Sequence, residues 1–340
     1  MRDTAKLRNN WTKEEIEEVY NLPLLELVYK AATIHREWHN PEEIQMSTLL
    51  SIKTGGCPED CSYCGQAARY HTNIKVQALL PTEQVIQHAQ KAKDSGSSRF
   101  CMAAAWREVR NNRDFDCVID MVKGVNALGM EVCCTLGMLT EEQAVRLQEA
   151  GLYAYNHNLD TSEQYYEEII STRTFDNRIN TLNNVRKAGI TVCSGGIIGL
   201  GETHKDRISM LLTLATMPKH PESVPINALA RVAGTPLEHN EKTYTWEMVR
   251  MIAAARIVMP SSMVRLSAGR IEMTDFEQAW CFMAGANSIF TGERETLLVT
   301  PNPGMSEDMQ LLQTLGLKPM KRASEQVKDE ARSCTANSPL

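Results

Sequence analysis

The chain has 340 residues, of which 43% are hydrophobic and 23% charged, a composition typical of a globular protein that buries a large core. Its formal net charge of −6 contains no basic block, and no run of about 18 apolar residues occurs. These features exclude any prediction of nucleic-acid binding, anionic-membrane binding or membrane spanning. The first eleven residues lack a secretory apolar core, so we expect a cytoplasmic protein whose ten cysteines are reduced thiols or metal ligands.

Residues from Trp11 to His39 have a helical pattern. Thr12 is placed to cap the first turn, and the apolar stripe is interrupted at Pro23. We therefore interpret residues 1–40 as an N-terminal helical extension.

After this extension, short β-rich apolar runs alternate with amphipathic helical patterns. The predicted strands are Thr48–Ile52, Arg99–Met102, Glu131–Leu136, Tyr153–Asn158, Thr191–Gly195, Val224–Leu229, Met263–Ser267 and Ser288–Phe290. Eight strands that alternate with helices indicate a parallel sheet, and eight is the number that closes a (β/α)8 TIM-type barrel. We predict an α/β fold with this barrel at 41–320, and a doubly wound open sheet is the alternative. The polar segment 321–340 is expected to be a disordered tail.

Three cysteines, Cys57, Cys61 and Cys64, lie within eight residues just after the first predicted strand. Thiolates suit iron–sulfur iron or zinc. A [4Fe–4S] cubane normally takes four cysteines, and no fourth lies nearby, so one iron would be open to a group that is not protein. Zinc is the alternative, but its usual second CxxC pair or histidine pair is absent from the sequence.

Further cysteines fall on predicted barrel strands: Cys101, the neighbours Cys133 and Cys134, and Cys193. Because strand side chains alternate between faces, only one of Cys133 and Cys134 can point inward. Three thiols from different strands could then meet inside the barrel. Free cysteines also simply pack in cores, and the sequence leaves both interpretations open.

Polar residues also occur where a barrel strand should be buried. Asn156, Asn158 and Asp160 alternate along the fourth strand, and a parallel barrel strand has no exposed face. We interpret these three residues as facing a ligand. The glycine-rich stretch 195–202 follows the fifth strand and is either a backbone approach to a ligand or a tight turn.

The CxxxCxxC loop, with Tyr63 before its last cysteine, resembles the radical S-adenosylmethionine (SAM) superfamily. Further segments are similar to those of the biotin synthase family within it, from Trp11 to Leu317. These segments are 51–61, 99–102, 155–161, 193–196, 223–227, 264–270 and 283–288.

The resemblance implies two iron–sulfur clusters and no catalytic side chain beyond the cofactors. A [4Fe–4S] cluster with SAM on its open iron would be held by Cys57, Cys61 and Cys64. A [2Fe–2S] cluster would be held by Cys101, Cys133, Cys193 and Arg265, although arginine is an unusual ligand because it is normally protonated. The family pattern thus selects Cys133 over Cys134.

The resemblance also implies the residues that contact SAM and the substrate. Asn158 and Asp160 are expected at the ribose of SAM, Arg178 at its methionine end and Ile197 near adenine. Tyr63 is also expected to bind this cofactor. The residues expected to orient dethiobiotin are Asn156, Asn158 and Asn227.

The implied activity is that of a sulfurtransferase which converts dethiobiotin to biotin. One-electron cleavage of SAM would remove hydrogen from the substrate, and the [2Fe–2S] cluster would supply sulfur. An electron donor such as flavodoxin or ferredoxin is expected as partner, and the family suggests a homodimer. Alternatives are another radical SAM enzyme that cleaves C–H bonds, or a non-catalytic iron–sulfur or zinc protein.

The chain departs from the family pattern in one place. The loop 291–300 is longer than in relatives, which leaves open which hydroxyl near Thr300 contacts substrate. Four cysteines match no ligand position and are expected to be structural or surface thiols: Cys117, Cys134, Cys281 and Cys334.

Overall fold

A computed structural model describes residues 7–292 and 301–321. The strands are β1 Glu43–Lys53, β2 Arg99–Ala104, β3 Glu131–Thr135, β4 Ala154–Asn156, β5 Thr191–Cys193, β6 Gly196–Ile198, β7 Ser223–Ala228, β8 Met263–Leu266, β9 Ser288–Phe290 and β10 Lys318–Pro319. The helices are α1 Lys13–Tyr20, α2 Leu24–Trp38, α3 Thr82–Asp94, α4 Arg113–Ala127, α5 Glu141–Glu149, α6 Tyr166–Ile169, α7 Phe175–Lys187, α8 His204–Ala215, α9 Thr245–Val258, α10 Asp275–Met283 and α11 Met305–Thr314. The tail 322–340 with Cys334, and the loop 293–300 with Thr300, lie outside the described residues.

The sheet closes on itself into a barrel. Its hydrogen-bonded order is β1-β2-β3-β4-β5-β7-β8-β9, every pair is parallel, and β9 pairs with β1. The predicted (β/α)8 barrel is therefore confirmed, and the alternative of an open sheet is wrong. The two extra strands lie off this ring: β6 pairs with β7, and β10 pairs with the beginning of β1.

The glycine-rich stretch after β5 is a strand rather than a turn at Gly196–Ile198. Gly196 is paired with Ile226 of β7, and the Ile197 N–H donates to the Asp160 carbonyl at 2.8 Å. A Cβ on the preceding Gly195 would lie 2.0 Å from the Pro225 carbonyl oxygen. The glycines therefore allow two backbones to approach closely, which is a common reason for glycine within a strand.

The N-terminal extension shares the hydrophobic core of the barrel. Helices α1 and α2 separate at Pro23, as predicted, and pack against α8 and α9. Ile16, Tyr20 and Leu27 are fully buried within the same apolar cluster as the strand residues. None of the helices in the described part of the chain is long and apolar enough to cross a membrane.

Candidate active site

The three-cysteine loop lies at the carboxyl end of β1, where barrel enzymes carry their chemistry. Gly55 and Gly56 both have positive φ angles, 70° and 67°, and turn the chain out of the strand. The Cys57 N–H then donates to the Gln66 carbonyl at 2.9 Å, and the Cys64 N–H donates to the Cys61 carbonyl at 2.9 Å. The loop folds back on itself and brings its thiols to one side.

Asp60 anchors this loop to the segment before α7. Its carboxylate accepts hydrogen bonds from the backbone N–H groups of Ser171 at 2.9 Å and Thr172 at 3.1 Å, and from both hydroxyls. Arg69 adds an ion pair at 2.8 Å. Burial alone would raise the pKa of Asp60, but the hydrogen bonds from Ser171 and Thr172 bring this pKa down to about 2.

Burial raises the pKa of each thiol in the loop. The pKa of Cys57 is raised, that of Cys61 reaches about 12 and that of Cys64 about 11. Iron binding must therefore displace protons from these thiols. Among the described residues, no three His, Cys, Asp or Glu side chains converge on a single-ion site. A cubane differs from such a site, because each of its cysteines binds a separate iron.

Beside the thiols lies a buried charged pair that includes two of the residues expected at SAM. Asp160 has a φ of 70°, in the left-handed region that few residues other than glycine adopt. Its Oδ2 atom accepts a hydrogen bond from the Tyr63 hydroxyl at 2.9 Å and one from Arg178 Nη2. Arg178 Nε donates to the Tyr166 hydroxyl at 2.9 Å. The buried Asn158 Oδ1 has no hydrogen-bond partner among the described residues, so an acceptor is available for a ligand hydroxyl.

Inside the barrel, cysteines from three strands, β2, β3 and β5, come together. Cys101 and Cys133 are Cα partners across β2 and β3, and Cys193 on β5 interacts electrostatically with Cys133. Cys133 lines the central cavity, whereas Cys134 is packed in the apolar layer outside the barrel. Cys133 therefore points into the barrel and Cys134 points away from it, a choice that alternation alone left open.

Arg265 on β8 lines the same cavity as Cys101 and Cys133 and is 1% exposed. Its Nε donates to Ser288 Oγ at 2.9 Å, and its guanidinium lies 4.4 Å from the centre of the Phe290 ring. The sequence reasoning missed a second buried cation, Arg99, which forms an ion pair with Glu131 at 2.8 Å. Its Nη1 has no hydrogen-bond partner among the described residues. An isolated charged residue on a predicted barrel strand was the available signal for Arg99, as it was for Arg265.

These two arginines act on the pKa values of the inner thiols. A hydrogen bond from Cys133 lowers the pKa of Cys101, and Arg265 and Arg99 lower it further against the effect of burial. The same hydrogen bond, together with burial, raises the pKa of Cys133 strongly. Burial also raises the pKa of Cys193. A buried thiol group flanked by two cations fits an anionic iron–sulfur centre.

A cavity of about 220 Å³ joins the mouth of the barrel to this interior. Its lining includes residues of both cysteine groups and most of the residues expected at SAM and dethiobiotin: Tyr63, Cys64, Cys101, Cys133, Asn156, Asn158, Asp160, Ile197, Asn227 and Arg265. Asn227 also bridges backbones, because its Nδ2 donates to the Gly196 carbonyl at 2.9 Å and its Oδ1 accepts from the Ala268 N–H at 3.2 Å. One amide hydrogen of Asn227 is left for a ligand.

The remaining cysteines of the described chain lie apart from both groups. Cys134 and Cys281 are fully buried in the apolar core, and Cys117 on α4 is partly buried against it. None of the three lines the central cavity.

Two family models match most of the chain. Residues 51–214 match the Radical SAM superfamily model, and residues 225–318 match the Biotin and Thiamin Synthesis associated domain. The chain is 65% identical over 315 residues to biotin synthase of Cytophaga hutchinsonii, covering 93% of each chain. It is 56% identical over 328 residues to the mitochondrial biotin synthase of Arabidopsis thaliana, covering 96% of this chain and 86% of the relative.

Among solved structures, methylornithine synthase has a similar fold. The TM-score is 0.79 at 17% identity, over 93% of this chain and 96% of the other. The [FeFe]-hydrogenase maturase HydG gives a TM-score of 0.78 at 18% identity, over 91% of this chain and 72% of the other. At such low identity these two structures support the barrel fold alone. The identity to curated relatives over nearly the whole chain shows more: the chain belongs to the biotin synthase family of the radical SAM superfamily.

Proposed function

We propose that the chain converts dethiobiotin to biotin by inserting sulfur. The observation that carries this proposal is a cavity that reaches from Cys64 of the loop group to Cys101 and Cys133 of the inner group. A radical SAM enzyme with another substrate would need the first group but has no evident use for the second. The inner cysteines therefore favour sulfur insertion over the alternative of a different C–H-cleaving enzyme.

In this proposal the loop thiols of Cys57, Cys61 and Cys64 hold a [4Fe–4S] cluster and leave one iron for SAM. The inner group of Cys101, Cys133, Cys193 and Arg265 holds a [2Fe–2S] cluster. The bound cofactors supply one-electron cleavage of SAM, removal of hydrogen from dethiobiotin and the sulfur atom. The protein supplies position, charge and a closed interior.

The side chains around the cavity bind and orient the two small molecules. Asp160 and Asn158 present oxygen acceptors to the ribose hydroxyls of SAM, and Arg178 presents a cation to its carboxylate. Ile197 packs beside adenine, and Asn156 and Asn227 offer amide groups to dethiobiotin. Since the barrel strands surround the reacting atoms, water and stray hydrogen donors are kept out.

The proposal also includes a one-electron donor such as flavodoxin or ferredoxin, and a homodimer. Anaerobic reconstitution with iron and sulfide, followed by SAM, reductant and dethiobiotin, tests the activity directly. We expect biotin to form only when dethiobiotin is present, together with 5′-deoxyadenosine and methionine. A colourless zinc protein that releases no 5′-deoxyadenosine would contradict the proposal, and so would SAM cleavage without any biotin.

A further inference from the structure

Arg173 places a buried positive charge on the sulfur of Cys61. Its Nη2 atom lies 3.6 Å from the Cys61 Sγ atom, within hydrogen-bond distance for sulfur, and its side chain is 7% exposed. Arg173 lies in the short connection between α6 and α7, and neither its spacing nor its neighbours in the sequence predicted this contact.

The guanidinium is held in place from two further sides. Its Nε donates to the Tyr166 hydroxyl at 3.2 Å, and its Nη1 lies 3.9 Å from Glu59 Oε1. Glu59 is buried and receives a hydrogen bond from the Thr172 hydroxyl. The hydrogen bond to Tyr166 thus fixes the direction in which Arg173 presents its N–H groups to Cys61, and Glu59 adds a longer electrostatic contact.

Nearby carboxylates neutralise Arg173 only in part. Glu59 lies at the outer limit of an ion pair with it and is shared with Arg107, whose Nη1 is 3.5 Å from the same oxygen. The other buried carboxylates of the site have cations of their own, because Asp160 pairs with Arg178 and Asp60 pairs with Arg69. Much of the positive charge of Arg173 therefore acts on the sulfur of Cys61, in a buried region where solvent screens charges only weakly.

A charge in this position matters most when the cluster is reduced. Reduction adds one electron to the cluster, and no bond breaks or forms in this step. The reduced, more negative form gains more from a buried cation and from an N–H donor to a ligand sulfur. We propose that Arg173 raises the reduction potential of the cluster on Cys57, Cys61 and Cys64, and so sets how readily a one-electron donor can reduce it. This inference rests on the proposed function, which supplies the cluster.

The test is a potentiometric titration of the reconstituted protein with dithionite and mediator dyes, followed by electron paramagnetic resonance of the reduced cluster. The variants are Arg173→Gln, Arg173→Lys and the matched control Arg107→Gln. Arg107 also faces Glu59, but its side chain is 35% exposed. We expect Arg173→Gln to lower the equilibrium constant for reduction about tenfold, which equals about 59 mV for one electron. Arg173→Lys should lower this constant roughly threefold, because an ammonium lacks the fork of donors, and Arg107→Gln should leave it near the wild-type value.

A wild-type potential in Arg173→Gln would overturn the inference, above all if the affinity for SAM falls, because Arg173 would then serve SAM binding instead. An equal shift in Arg107→Gln would overturn it too, since a general loss of positive charge would explain both. If Arg173→Gln takes up no iron, the reduction potential of Arg173→Lys is the test instead. A wild-type potential in Arg173→Lys would then reject the inference. The potential is measured without dethiobiotin, so its outcome is independent of biotin formation by the unmodified protein.

Discussion

Arg178 and Asp160 form an ion pair that is almost completely shielded from solvent, at the point where the cysteine loop meets the strand expected to bind SAM. Asp160 also accepts the hydrogen bond of Tyr63, which belongs to that loop. The pair therefore ties three parts of the chain together: the loop, the end of β4 and helix α7. It serves the fold and the proposed SAM site at once.

Removing one partner of this pair should destabilise the protein strongly. Arg178→Met leaves the Asp160 carboxylate buried without its cation, and we expect a loss of about 3–5 kcal/mol in the free energy of unfolding. The double variant Asp160→Asn/Arg178→Met should recover part of this loss, because no buried charge is left unpaired. Urea denaturation of four proteins, the wild type, Asp160→Asn, Arg178→Met and the double variant, measures the coupling, and additive losses would contradict the argument.

The neighbours Cys133 and Cys134 provide a matched test of the inner cluster. Cys133 lines the cavity and Cys134 packs outside the barrel, although the two are adjacent in sequence. Cys133→Ala should lower the iron content by about two per chain, the iron of a [2Fe–2S] cluster. Cys134→Ala should keep all its iron and lose about 1 kcal/mol of stability. Iron analysis after anaerobic reconstitution measures this difference. Equal iron loss in both variants would contradict the assignment of Cys133, rather than Cys134, to the inner cluster.

Much of the barrel could be predicted because most strands are short apolar runs, as at Arg99–Ala104, and most helices have their own periodicity. The strand at Gly196–Ile198 could not, because glycines signal a turn, and its pairing with β7 depends on a contact that is distant in sequence. The face of Cys133 was open for a related reason. Alternation shows that neighbouring side chains point to opposite faces of a strand, but not which of the two points inward. The inward side chain follows from the pairing of Cys133 with Cys101.

The charged partners of the site were harder to predict than the thiols. A CxxxCxxC spacing is a local property of the sequence, whereas Arg173 and Thr172 reach the loop across more than 100 residues of chain. Contacts between long side chains of separate loops produce no periodic pattern in the sequence. The resemblance supplied Arg265, but from strand chemistry it was only one isolated polar residue among several.

The anchor of the cysteine loop should be sensitive to acid. The pKa of Asp60 is lower in the fold than its ordinary value, so its ionised form stabilises the protein above about pH 4 and this contribution is lost as the pH falls towards about 2. Asp60→Asn should cost about 1.5–3 kcal/mol at pH 7, the range for hydrogen bonds to a charged group. It should also flatten the decline in stability between pH 4 and pH 2.

Urea denaturation across this pH range measures both effects of Asp60. Asp120→Asn is the control, because Asp120 lies exposed on α4 and pairs with the exposed Lys123 at 3.4 Å. Its stability should stay within about 0.5 kcal/mol of the wild type. If the stability of Asp60→Asn declines between pH 4 and pH 2 as steeply as that of the wild type, other carboxylates govern this decline.

At the opposite end of the barrel, Arg256 holds the beginnings of β8 and β9 together. This fully buried arginine donates to the Ser262 carbonyl at 2.6 Å, the Gly285 carbonyl at 2.8 Å and Asn287 Oδ1 at 2.9 Å. Arg256→Met would remove the donor from the buried Ser262 and Gly285 carbonyls, although Asn287 Oδ1 keeps the Val264 N–H, and we expect a loss of about 3 kcal/mol or more. Because the amino ends of barrel strands serve stability rather than chemistry, the KM values for SAM and dethiobiotin should stay unchanged.

Denaturation and steady-state kinetics below the unfolding transition separate these two effects of Arg256→Met. Lys187→Met is the control, since Lys187 is exposed and pairs with Glu141 at 3.0 Å, and it should cost less than about 1 kcal/mol. A stable Arg256→Met protein would mean that water replaces the guanidinium at these carbonyls. A stable fold with altered KM values would instead mean that the network around Arg256 reaches the cavity through Arg265, whose partner Ser288 follows Asn287 directly.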